Sequence, residues 1–189
     1  AENVAYGSGT EIIVTLAYLA AITERVELGT GIILLPLRNP LVVAKQFATL
    51  DAFSDGRTIF GIGVGWNKPE YQFLNADFHQ RGKLADEYID IVYKLWTEDD
   101  PSHVGTHTFD DVLFAPKPKR RPPLYIGGSS DAAIKRAARV GDAWQPNGPI
   151  ENLAERVALL REHAGDREEA DSMAIRVDMR DGAASVVDM

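Results

Sequence analysis

Apolar positions along this chain switch between two periods, and the switching orders its elements. Ile12, Leu16, Leu19 and Ala20 recur at helical spacing behind Thr10, which predicts a capped helix over Glu11 to Thr23. Val26 to Leu35 is then a β-type apolar run, with the strand placed at Val26 to Ile32. Asn39 followed by Pro40 is a helix start, a cap and a first-turn proline. The helix over Leu41 to Phe53 stops at Ser54, Asp55 and Gly56. Thr58 to Gly65 is the next strand, and the chain then enters an aromatic turn through Trp66, Asn67, Lys68 and Pro69 toward Tyr71. So short a connection between parallel strands needs a crossover helix, which makes this stretch a βαβ unit.

Glycine sits oddly in the second strand. Gly61, Gly63 and Gly65 alternate and leave one face bare, while Phe60, Ile62 and Val64 share the other. Either the bare face leaves room for a flat ligand near Trp66, or it lets a helix pack closely.

Downstream, Leu84, Tyr88, Ile91, Val92 and Leu95 give the helix Arg81 to Trp96 its buried stripe. Residues 97–123 carry five prolines with His103 and His107, and a loop that long is read as a lid or an excursion. Leu124 to Ile126 is a short strand, followed by Gly127, Gly128, Ser129, Ser130 and a helix over Asp131 to Val140 closed by Gly141. Ala143 and Trp144 predict another strand, Glu151 to His163 a helix, and Ala174 to Met179 the last strand. Strands alternating with helices predict a single α/β domain over residues 1–189 with a parallel sheet. The five strands so placed fall short of the eight, and the roughly 250 residues, of a complete (β/α)₈ barrel.

Charge narrows the partners. A net charge of -8 argues against nucleic acid and anionic membrane, because both need a positive field. The one basic run, Lys117 to Arg121, is broken by proline and is read as a solvated loop. The chain has no cysteine, which excludes thiolate metal sites and cysteine nucleophiles, and the four histidines show no metal-type pairing. No targeting segment or long apolar span is recognised, so a cytoplasmic location is expected. Asp86, Glu87 and Asp90 fall on the polar side of their helix and are read as a solvated face. Tyr125 to Ser130 places backbone N–H groups and hydroxyls at a helix start, which suits a phosphate or equally makes a tight turn capped by Ser129 or Ser130.

Five motifs in this order, LGTGIILLPLRNPLVVAKQFATLDAFSDGR, GIGVGWNKPEY, RGKLADEY with LW, PPLYIGGSS and AAIKRAARVGDAW, closely resemble the bacterial luciferase-like monooxygenase superfamily. The branch resembled most is that of the deazaflavin (coenzyme F420)-dependent oxidoreductases. The resemblance runs colinearly from about Leu16 to Pro146 and implies a TIM-type (β/α)₈ barrel. It also implies FMN or F420 bound at the carboxyl ends of the strands, a small-molecule substrate, and a homodimer to which the helix from Asn39 to Phe53 contributes. Carried over by position, Gly31 and Ile32 match a bulge with a non-proline cis peptide behind the cofactor ring. Gly65, Trp66 and Asn67 match the turn lining that ring, and Gly127, Gly128 and Ser129 match the phosphate loop. No catalytic residue and no metal ligand is assigned.

The departures bear on completeness. The family begins with two more strands, the second often ending in a Glu-His pair, of which Glu2 and Asn3 would be the remnant. An eighth strand is not found in the polar tail Arg180 to Met189, and Asn75 stands where the family commonly has glycine. Strands three to seven are thus expected, from an incomplete sequence, a fragment held by a partner, or a shortened relative. Two rivals remain: a non-catalytic flavin-binding relative, and an unrelated phosphate-binding barrel such as an isomerase or aldolase, for which Lys68 and Glu70 are the candidate groups.

Overall fold

The computed structural model describes residues 9–146, 153–165, 167 and 174–175. Its helices are α1 (Ile12–Ile22), α2 (Pro40–Ser54), α3 (Lys68–Phe73), α4 (Arg81–Thr97), α5 (Asp131–Val140) and α6 (Leu153–Ala164). Its strands are β1 (Leu28–Gly29), β2 (Ile33–Leu34), β3 (Thr58–Gly63), β4 (Leu124–Gly127), β5 (Ala143–Gln145) and β6 (Ala174–Ile175). The expected remnant at Glu2 and Asn3, the helix start at Glu151, the extension of the last strand to Met179 and the tail from Arg180 lie outside the described residues.

Every strand pair is parallel, and the sheet order β1–β3–β4–β5–β6 follows the chain, with β2 pairing β3 beyond β1. That is the wall of a parallel barrel-type α/β fold, each strand beside the next. Phe60 and Ile62 of β3 face the helices, where Phe60 meets Phe47 edge-on at 4.8 Å and Trp96 at 5.2 Å between ring centres. The Trp96 indole also donates to the Ala44 carbonyl at 2.9 Å, locking α4 to α2.

Helix boundaries follow local chemistry. Asn39 caps α2 by accepting from the Leu41 and Val42 N–H groups, and Asp55 ends it with a left-handed φ of 61°. At α1 the cap is Glu11 rather than Thr10: its carboxylate accepts from Val14 N at 2.7 Å, while the Thr10 hydroxyl pairs with Thr15. The turn after Trp66 contains a helix, α3, that the aromatic-turn reading missed, although Asn67 followed by Pro69 is a start signal.

The expected continuous strand from Val26 is broken. Leu28 faces Thr58 and Gly29 faces Ile59, but Ile33 faces Ile62, so five steps of one strand match four of the other. The extra residue makes a bulge at Thr30 to Ile32. Within it the Thr30 hydroxyl takes the place of a ladder partner, donating to Gly61 O at 2.5 Å and accepting from Gly61 N at 3.0 Å.

Three further readings change. Asp86 is not simply solvated, because it receives the buried Arg136 guanidinium at 2.7 Å and Arg139 at 2.5 Å. Glu87 accepts from the N–H and hydroxyl of Thr106 at 2.6 and 2.7 Å and lies 3.2 Å from His103 Nε2. In the basic run, Lys119 pairs with Asp55, Arg120 with Glu27 and Arg121 with Asp142, so these charges tie the loop down. The loop itself crosses at His103 and Phe109, whose backbones exchange hydrogen bonds, and its contacts run to the outward helices α2 and α4.

Candidate functional site

Because the strands are parallel, their carboxyl ends share one rim, and four segments reach it: the bulge, the turn Val64 to Asn67, the loop Gly127 to Ser130, and Gln145 at the end of β5. Register sets which side chains look inward. Ile62, Ile126 and Trp144 lie in one row, all buried toward the helices. The next residues, Gly63, Gly127 and Gln145, therefore face the opposite, inner side.

That inner face is covered by the chain's own bulge rather than bare, and among the described residues no helix atom is nearest to these glycines. A Cβ at Gly61 would lie 1.8 Å from the Thr30 carbonyl oxygen. A Cβ at Gly63 would lie 2.0 Å from Ile32 Cδ1, and one at Gly127 would lie 2.8 Å from Ile32 Cγ2. Ile32 is thus turned onto both glycines and forms an apolar floor at the rim. The peptide between Gly31 and Ile32 is cis, as the resemblance placed it.

Of the remaining site residues, Trp66 is 76 % exposed, so it is not a packing residue of the core, and its indole stands free at the rim. Asn67 is half-buried at the start of α3. Gly65 has a φ of 71° and lies against Leu34 and Tyr71. Tyr71, missed as a site-shaping residue, is 1 % exposed and donates to the Val64 carbonyl at 2.6 Å. Burial pushes its hydroxyl well above the usual tyrosine range, so it stays a donor that fixes this turn. Asn75, in the family's glycine position, has a φ of 54°, a conformation asparagine tolerates.

The loop after β4 is held from below. Gly128 has a φ of 115°, its N–H donates to Gln145 O at 3.1 Å, and its carbonyl accepts the Trp144 indole at 2.8 Å. Ser130, not Ser129, caps α5 by accepting from Ala133 N. The first N–H groups of α5, at Asp131 and Ala132, have no acceptor within the helix and lie beside the glycine loop, the arrangement that suits an anion. Asp131 sits in that first turn and pairs with Arg156 of α6, so part of the helix's positive end is already answered.

Gln145 was not predicted. Its side-chain amide nitrogen would lie 3.1 Å from a Cβ at Gly31, so the carboxamide rests on the bulge. Glu70 is 1 % exposed and Lys68 stands on the surface, so the two do not form a lysine and carboxylate pair open at the strand ends. Among the described residues no group of three metal-ligating side chains gathers, and no helix is long and apolar enough to cross a membrane.

An apolar floor, an aromatic edge and a helix start share one rim of a parallel, barrel-type α/β wall. The chain belongs to the luciferase-like monooxygenase family, whose profile matches residues 2–180. It is 33% identical over 159 residues to the FMNH(2)-dependent dimethylsulfone monooxygenase of Pseudomonas putida, covering 80% of this chain and 44% of that one. It is 31% identical over 142 residues to the F420-dependent glucose-6-phosphate dehydrogenase of Kineococcus radiotolerans, covering 73% of this chain and 42% of the other. A monooxygenase from Streptomyces bottropensis superposes with a TM-score of 0.77 at 28% identity, covering 88% of this chain and 53% of that chain. The chain thus spans about half the length of these relatives.

Proposed function

We propose that this chain holds the cofactor of an oxidoreductase acting on a small organic substrate through bound FMN or deazaflavin F420. The observation that carries the reading is the convergence of the Ile32 floor and the α5 N-terminus on one rim, since both cofactors join a flat ring to a phosphate-bearing chain. When bound, either cofactor would supply hydride or electron transfer, which protein side chains cannot perform themselves. Gly31 and Ile32 would back the ring, while Gly65, Trp66 and Asn67 would line its edge and limit water. Gly127, Gly128 and Ser129 would form the loop around the phosphate, with Gly128 fixed by Trp144 and Gln145, and the N–H groups at the start of α5 would donate to it.

Relatives using FMN and relatives using F420 both support the class, and neither cofactor is favoured by the residues at the rim. The visible absorption spectrum of the purified protein, with mass spectrometry of released ligand, tests the reading. Bound flavin or deazaflavin is the expected result, and a folded sample that binds neither in titration overturns it. Turnover with the bound cofactor separates an enzyme from a flavin-binding relative.

A second copy of the chain is the partner this reading adds. Val14, Tyr18 and Ile22 form an exposed apolar row on α1, with Val42 and Phe53 exposed on α2. Sedimentation at the mass of two chains is expected, and a monomer at micromolar concentration would remove the dimer.

A further inference from the structure

Gln145 is the one side chain larger than hydrogen in the inner row Gly63, Gly127 and Gln145. Its backbone and side chain do different things. The carbonyl accepts from Gly128 N at 3.1 Å and so supports the phosphate loop. The side-chain amide instead lies against Gly31, with Nε2 3.1 Å and Oε1 3.6 Å from the place a Cβ would occupy there. A side chain at Gly31 would crowd the amide.

A glutamine amide offers two donors and two acceptor lone pairs, and that of Gln145, only half-buried, is not among the side-chain groups shut away from solvent, so a ligand at the rim can reach it. Among the described residues, none forms a hydrogen bond to this amide. The Ile32 side chain, which covers Gly63 and Gly127, has no polar atom to offer it. We infer that the Gln145 amide hydrogen-bonds the polar edge of a ring seated on Gly31 and Ile32, making it a binding residue for the ring rather than for the phosphate. The inference rests on the flavin-type reading above and adds the group that recognises the ring's amide-like donors and acceptors, which flavins and deazaflavins share.

The test is fluorescence titration of the wild type, Gln145→Leu and Gln145→Glu with riboflavin, which has the ring but no phosphate, and with FMN. Melting curves identify which variants are folded, and Gln145→Glu serves if the leucine variant is not. Gln145→Leu is expected to bind both ligands about 3- to 10-fold more weakly, by the same factor for each, the size of one hydrogen bond. The absorption band of the bound ring should also shift. Two results overturn the inference while leaving the cofactor reading intact: both variants binding both ligands within twofold of the wild type, or a loss confined to FMN, which would mean Gln145 acts only through Gly128. A wild type that binds neither FMN, F420 nor riboflavin overturns the cofactor reading, and this inference with it.

Discussion

Gly61 and Gly63 look alike in sequence but face different atoms, and this decides what each tolerates. At Gly61 an added methyl meets a backbone carbonyl at 1.8 Å, which cannot move without dissolving the bulge. At Gly63 it meets the far end of the Ile32 side chain, which can swing away. Gly61→Ala is therefore expected to cost about 3 kcal/mol or more in urea unfolding, and Gly63→Ala clearly less. Equal losses would contradict this account of the bulge. The alternation of small residues was legible in the sequence, but its reason was not, because Val26 to Leu35 reads as one uninterrupted strand and a one-residue register slip leaves no compositional mark. Gln145 was invisible for a related reason. Its importance comes from lying beside Gly127 and over Gly31, two relations that exist only once three strands are aligned.

At the scale of elements, α2 joins the site-bearing strand to the loop below it. Asp51, 1 % exposed, accepts from the Thr58 hydroxyl at 2.5 Å and from Lys119 N at 3.0 Å. Asp51→Ala leaves the buried Thr58 hydroxyl and the part-buried Lys119 N–H without their acceptor, and a loss of about 1 to 3 kcal/mol is expected in denaturant titration. Arg57, just beyond, binds the end of α1 through the carbonyls of Ala20, Thr23 and Val26. The ends of α2 were readable from Asn39, Pro40 and Gly56 because caps are local chemistry. The partner of the loop at 97–123 was not readable, since Glu87 lies nineteen residues from Thr106. Burial raises the Glu87 carboxyl, but hydrogen bonds from Thr106 and the charge and hydrogen bond of His103 outweigh it, holding the group below its usual range. A lowered folded-state value stabilises above the unfolded carboxylate range and is lost as pH falls through it. The stability difference between wild type and Glu87→Ala should therefore be full at pH 6 and shrink below about pH 4. A difference that does not change with pH would contradict the clamp.

For the whole molecule, the order of strands and helices sufficed to read a parallel α/β wall, and the ordered motifs extended it to the luciferase-like barrel, because both are properties of sequence order. The site needed more, as its floor, aromatic edge and helix start come from segments up to a hundred residues apart, from Gly31 to Asp131. What brings them together as a candidate site is the shared rim. The most direct measurement is calorimetric titration of FMN and riboflavin into the wild type, Gly128→Ala and Gly128→Asp. Gly128 has a φ of 115°, and a Cβ there would lie 3.2 Å from Ala133, so the alanine variant reports the backbone and packing cost alone. The account predicts that aspartate weakens FMN binding well beyond alanine, by like charge beside the phosphate, while riboflavin binds the two variants equally. FMN binding to Gly128→Asp as tightly as to Gly128→Ala would remove this loop from the site and contradict the account.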